Sequence, residues 1–379
     1  MIPSIPREPG ALRLFLCGDV MTGRGIDQAL SFPGPPELRE PYVSAAPAYL
    51  RLAGQASGPI RTPIDPTGIW GAAREAWRAL APDVRLMNLE TAVTTSDDFA
   101  PKGINYRMNP ANVAALTASG ADAFALANNH VLDFGPAGLA ETLEVLAAAG
   151  LAGAGAGQDL SQARRPVVIE AGAHRVLFYS VATRDSGTPA HWAAGPASPG
   201  VALVEPTDRT ATELAGLISA ERRTGDIVVV SIHWGSNWGY DVPEAHRRFA
   251  HALIDAADVS VVHGHSSHHP RPIEVYRERL ILYGCGDFLN DYEGIGGYGG
   301  FRSEIVTADV ADVDAATGAL RRLIIVPFRI RRFRLARTRK ADALWLANTL
   351  DRVSRRFGVQ VVVDGDGLLE AIWRSRAPH

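Results

Sequence analysis

The chain has 379 residues, 46% of them hydrophobic and 21% charged, which is ample apolar content for a large core. A formal net charge of −3 gives no polycationic footprint for nucleic acid, and no stretch approaches the roughly 20 apolar residues of a membrane span. The proline-rich start, Met1 to Arg13, has no apolar signal core, so the expectation is a cytoplasmic protein without a membrane anchor, acting on a small or peptide substrate.

In chain order, the run LRLFLCGDV reads as a first strand ending in Gly18-Asp19. Residues 31–68, rich in Pro and Gly, are too long for an ordinary connection and read as an ordered lid or specificity loop. Helices are expected over Gly68 to Leu80, Pro110 to Ala118, Pro136 to Ala149, Asp208 to Thr224 and Pro243 to Ala256, several with a proline suited to a helix start. Between them lie the strand candidates VRLMNLE, ADAFALANN, VVIEAG, HRVLFYSVA, DIVVVSIHW, VSVVHGH and RLILYGCGDF, with an irregular loop from Ser186 to Gly200 around Trp192. Beyond Asp309 come a strand pair, a helix near Ala341 to Phe357, the strand VQVVV and a short terminal helix. This alternation predicts a layered α/β fold in one domain, 1–379, with a core over 12–300, the lid over 31–68 and a C-terminal extension over 301–379. Cys17 and Cys285 lie in apolar runs without metal-finger spacing and read as buried thiols of a reducing compartment.

Five polar clusters stand at the ends of predicted strands, where an α/β sheet offers side chains to a common crevice. They are Gly18-Asp19, Asn88-Leu89-Glu90, Asn128-Asn129-His130 with Asp133 following, His233-Trp234-Gly235, and the GHxxH turn His265 to His268. Two carboxylates, an amide oxygen and three imidazoles, without thiolate, are donors for one or two divalent ions among Mn, Zn, Fe, Ca or Mg. The expected ligands are therefore Asp19, Glu90, Asn129, His233, His265 and His268, with Glu90 as a bridge if two ions bind. His263 and His269 read as supporting or core residues; His174, His191, His246, His251 and His379 lack such context.

Around this set, Lys102, Asn105, Tyr106 and Arg107 in PKGINYRM, Arg24, and Trp234, Asn237, Trp238 and Tyr240 in HWGSNWGY are candidates for substrate binding or catalysis, as are Asp287 and Asn290 in GDFLND. Lys102 stands out because only it and Lys340 are lysines among 38 basic residues. A lysine beside a dication has its ammonium form disfavoured, which suits proton transfer near neutral pH.

Taken together, GDVMTGRGID, NLETAVTTSDD, KGINYRMNPAN, LANNHVLDFG, VVSIHWGSNWGYD and the segment VVHGHSSHHP through DYEGIGGY resemble the CapA family of bacterial capsule and poly-gamma-glutamate biosynthesis proteins. The resemblance implies a four-layer α/β/β/α sandwich of the metallo-dependent phosphatase type, with a metal centre at the strand ends. It implies that Asp19, Glu90, Asn129, His233, His265 and His268 are the ligands and that His130 performs acid/base work. Two departures stand out: Met21 occupies the place of a usual histidine, and Val131 replaces the aspartate after the Asn-His pair, with Asp133 two positions later.

Without an anchor, the chain is also similar to the soluble lasso-peptide epimerase of that family. The expected activity is then inversion of the α-carbon of a C-terminal residue in a ribosomally made peptide, with His130 and Lys102 as bases on opposite faces. A metal-dependent phosphoesterase or amide hydrolase, and an accessory protein of capsule or poly-gamma-glutamate synthesis, are the alternatives. Metal identity and oligomeric state stay open.

Overall fold

The computed structural model describes residues 2–296 and 301–374; His379 and the last residues of the DYEGIGGY motif lie outside them. The strand Ala11–Val20 is buried at all ten positions, as a central strand covered on both faces must be. Its side chains alternate between two cores. Leu12, Leu14 and Leu16 join a cluster with Phe178, Val229 and Val261, while Phe15, Cys17 and Val20 join another with Trp70, Trp77, Leu116 and Leu139.

This strand is central to a ten-stranded sheet. Val84–Leu89 and Asp287–Leu289 pair with it in parallel and Ile305–Asp314 antiparallel. Ala123–Ala125 and Gly153–Ala154 extend the sheet on one side; Leu320–Arg331, Leu369–Trp373 and Val359–Val363 extend it on the other. A seven-stranded sheet is built around the parallel strands His174–Thr183, Ile227–His233, Val261–His265 and Arg279–Leu282. Its outer side chains, such as Leu177, Val230 and Ile232, pack with Leu214, Ile218, Phe249 and Leu253 from two helices. The fold is thus mixed α/β with several sheets, and its two large sheets share one apolar cluster between them.

The helices follow the amphipathic pattern, with ends adjusted by local chemistry. Asp208–Glu221 starts where the Thr207 hydroxyl accepts the Thr210 N–H. The expected helix from Gly68 to Leu80 is broken into a 3₁₀ turn, Gly68–Trp70, and the helix Ala73–Leu80. Gly71, at φ 34°, makes the break; a Cβ there would lie 2.1 Å from the Leu335 carbonyl oxygen.

Two expectations are corrected. Residues 31–68 are not loop throughout, because Pro47–Ser57 is a helix whose Tyr49 and Ala53 are buried one turn apart. The terminal helix is instead the strand Leu369–Trp373. Leu369 and Ala371 point inward, and backbone bonding to Val359–Val363 satisfies the chain. No helix among the described residues is long and apolar enough to cross a membrane.

Candidate metal centre

Strand register assembles the first half of the centre. Asp19 lies opposite Asn88 on one neighbouring strand and opposite Asp287 on the other. The tripeptide Cys-Gly-Asp occurs twice, at 17–19 and 285–287, and the two copies touch: the Asp19 N–H donates to the Gly286 carbonyl at 3.1 Å. Gly18 permits this approach, since a Cβ there would sit 1.9 Å from the Gly286 oxygen. On the second sheet His233 lies opposite His265, each the last residue of its strand.

The two rows meet at Asp19. One donor atom each from Asp19, His233 and His265 lie within 4.8 Å of one another, and so do donors of Asp19, His268 and Asp287. His233 Nδ1 is 2.8 Å from His265 Nδ1, and His268 Nδ1 is 2.9 Å from Asp287 Oδ1. Asn129 Oδ1 stands 3.1 Å from His233 Nε2, and Glu90 Oε1 is 3.8 Å from the same nitrogen. The residue common to both groups is Asp19; Glu90, expected as the bridge, belongs to neither group and lies near enough to Asp19 for the two carboxylates to repel. Asp287, expected near substrate, is instead a donor position. Its missed signal was the repeated Cys-Gly-Asp.

Supporting bonds fix these groups. Asn88 Nδ2 donates to Asp19 Oδ1 at 2.7 Å, Asn290 Nδ2 donates to Asp287 Oδ2 at 2.7 Å, and the Ser231 hydroxyl bonds both His263 and His265. His263 also reaches across the sheets to the Cys17 carbonyl at 3.0 Å. Met21, in the place of the usual histidine, is buried and receives the Tyr292 hydroxyl at its sulfur.

The donor set fits a divalent ion. Asp19 Oδ2 and Glu90 Oε2 are buried without a hydrogen-bond partner. Burial, and then Asp287, pushes Asp19 up to about 7; burial, and then Asp19, raises Glu90 well above the carboxylate range. Burial also holds His233 and His265 well below the usual imidazole range, leaving neutral rings with a lone pair to offer. Burial opposes charge on His268 too, but Asp287 outweighs it and raises that ring. A dication relieves the carboxylate repulsion and accepts the nitrogen lone pairs, and oxygen with imidazole nitrogen suits the borderline metals.

Beside this cluster His130, Asp133 and Lys102 form a linked polar group. His130 Nδ1 lies 2.6 Å from Asp133 Oδ2, and Lys102 Nζ lies 2.8 Å from Asp133 Oδ1. The turn after His130 carries the Asp133 carboxylate back beneath the ring, so the shifted aspartate still reaches it. Burial pushes His130 down to about 4 against the pull of Asp133. Lys102 is also 3.2 Å from His130 Nδ1, whereas His130 Nε2 faces Glu90 Oε1 at 3.7 Å. The expected pair of bases on opposite faces is therefore corrected: Lys102 stands behind His130.

Other expected substrate contacts divide by burial. Trp234 is fully buried, stacked on His246, with its Nε1 donating to the Tyr283 carbonyl, so it is a packing residue rather than a substrate contact. Arg24 is buried and paired with Asp291 and Glu40; Arg107 pairs with Asp97, and Asn105 donates to the Ala100 and Asp133 carbonyls. These three stiffen the wall. Asn237 is exposed with its carbonyl receiving the His268 N–H, and Trp238 packs on the His268 and His269 rings at the rim.

Residues 13–292 match the family model described as bacterial capsule synthesis protein PGA_cap, a span that contains every donor above. The chain belongs to the PGA_cap family. A Mycobacterium tuberculosis relative named "Probable polyglutamine synthesis accessory protein" is 49% identical over 369 residues, covering 96% of this chain and 97% of its own. The PGA biosynthesis protein CapA of Bacillus subtilis is 33% identical over 211 residues, covering 54% of this PGA_cap chain and 52% of its own. A solved structure of Thermus thermophilus sulfate thiohydrolase SoxB is 16% identical, with a TM-score of 0.43, covering 88% of this chain and 57% of that one. The two sequence relatives carry names of polymer synthesis, and neither name speaks of peptide epimerisation.

Proposed function

We propose that this PGA_cap chain is a metal-dependent hydrolase that serves the synthesis of a glutamate polymer, trimming or releasing it at an amide bond. The observation that carries the reading is the pair of donor groups sharing Asp19 beside the His130–Asp133–Lys102 group. The resemblance to the CapA family, the PGA_cap match and the relative named for PGA biosynthesis supply the polymer context, with glutamate chosen over the glutamine in the name of the full-length relative. Three large apolar clusters and two large sheets support a single domain with the four-layer α/β/β/α sandwich of the metallophosphatase type.

Asp19, His233 and His265, with Asn129 alongside, would hold one divalent ion, and Asp19, His268 and Asp287, with Glu90 alongside, a second. When bound, such an ion supplies Lewis acidity toward a carbonyl oxygen and toward water. The chain's own residues do the rest. Asp133 orients the His130 ring through Nδ1, so Nε2 faces the cluster. Lys102, paired with Asp133, fixes that carboxylate. Water adds across the C–N bond to give a carboxylate and an amine, and His130 moves the proton between the attacking water and the leaving nitrogen. Trp238 and Asn237 at the rim would meet the polymer.

The test is incubation of metal-loaded protein with glutamate oligomers and separation of products by length. Shortened chains that disappear on chelation and in Asp19→Ala support hydrolysis. Intact oligomers at full metal occupancy overturn it in favour of a non-catalytic accessory role.

A further inference from the structure

A concavity of about 740 Å³ lies where residues 59–74 meet the hairpin of Leu320–Arg331 and Arg334–Arg337. Its floor is rigid: the Ala72 N–H donates to the Leu335 carbonyl at 2.8 Å, and Gly71 packs directly on that carbonyl. Its walls carry Arg61, Arg74, Arg331, Arg332 and Arg334, all exposed. Among the described residues, none of the five has a carboxylate oxygen within 4 Å. Two other arginines of the C-terminal region do meet carboxylates, Arg302 with Glu304 at 2.8 Å and Arg339 with Asp342 at 2.7 Å. Asp65 feels Arg74 and Arg334, but its oxygen is engaged by the Thr67 N–H and hydroxyl.

The hairpin tip is built to present these cations. Arg332 and Phe333 have φ of 54° and 56°, the left-handed pair of a two-residue turn where glycine or asparagine is usual. The conformation is held because Glu293 Oε2 accepts both their N–H groups, and because the Phe333 ring is buried against Gly25. Glu293 follows Tyr292, whose ring meets His268, so the groove and the donor cluster share a stretch of chain.

We propose that this groove binds a carboxylate-bearing chain, a segment of the glutamate polymer, and that it selects glutamate over glutamine. The inference rests on the polymer context proposed above, but not on hydrolysis. Guanidinium presents a planar fork that matches carboxylate; Arg332 Nε donates to the Ser57 carbonyl and Arg74 to the Thr67 hydroxyl, but none of the five meets a carboxylate among the described residues, and five such charges in a chain of net charge −3 call for a ligand with several spaced negative charges. The volume is far larger than one carboxylate needs, and an amide polymer would offer no charge to any of the five.

The experiment is fluorescence anisotropy of labelled glutamate oligomers on the full-length protein in chelator, where no turnover interferes. Wild type should bind glutamate oligomers and not glutamine oligomers. The exposed triple variant Arg61→Gln/Arg331→Gln/Arg334→Gln should lose roughly tenfold or more in affinity, with an unchanged circular dichroism spectrum. Lysine at the same three positions should retain part of the binding. Equal binding by wild type and the glutamine variant overturns the proposal, as does tighter binding of polyphosphate or DNA of the same charge. Loss of binding in the glutamine variant with no oligomer shortening by loaded wild type would keep the groove and sink the hydrolase.

Discussion

At the donor cluster the ten-stranded sheet contributes carboxylates, from Asp19, Glu90 and Asp287, whereas the seven-stranded sheet contributes imidazoles, from His233, His265 and His268. The carboxylates repel one another and are pushed toward protonation, while the buried imidazoles at His233 and His265 are kept neutral. Neither row is comfortable alone. His130, the imidazole that arises from the carboxylate sheet, is in neither donor group and is turned by Asp133 toward proton transfer. The difference teaches that, on the proposed reading, ligation and proton handling are separated by which strand a histidine follows.

The largest effect that would break this comparison is on metal content. Asp19→Ala should take elemental analysis from one or two equivalents of divalent metal to none, because both donor groups pass through it; His265→Ala or His268→Ala should each remove only one group. Stoichiometric metal retained by Asp19→Ala would contradict the shared position. Next, Asp133→Asn should lower turnover by about 10²–10⁴-fold with metal content unchanged, since it disturbs the orientation of a general acid/base and not ligation.

A third test uses Asp309, a carboxylate of the same sheet buried without imidazole company, which burial pushes up to about 7. A carboxyl raised in the folded state leaves stability intact below its unfolded value, about 4, and removes it as pH rises through the folded value. Urea titration of the wild type should therefore lose stability between about pH 4 and pH 8, and Asp309→Asn should flatten that slope, gaining roughly 1–4 kcal/mol at pH 8. The smallest effect is expected for Trp234→Phe, which removes the bond to the Tyr283 carbonyl at a cost of about 1 kcal/mol. Oligomer turnover should not move, and a large change in KM would restore Trp234 to the substrate.

Much of this was readable along the chain because strand ends carry their polar residues in local motifs. The GHxxH turn and the Asn-Asn-His cluster needed no partner to be noticed. What escaped depended on register or on neighbours distant in sequence. Asp287 becomes a donor only because its strand lies beside Asp19, and Trp234 looks like a contact until the helix carrying His246 covers it. The segment LEAIW has helical composition, yet an open strand edge at Val359–Val363 decides its conformation. Lys102 was noticed for its rarity, but its place behind His130 is fixed by Asp133, a contact between residues 31 positions apart that no local pattern encodes.

The strand pairing of Asp19 with Asp287 also has a consequence in time. The sheet that begins with residues 11–20 is finished by strands from residue 287 onward, and Arg13 finds its buried partner Asp312 at a separation of 299 residues. A nascent chain leaving the ribosome therefore carries an incomplete first sheet until most of the protein has been made. Capture of the proposed ion would then be a late event of maturation, and a truncated product of translation should emerge without it.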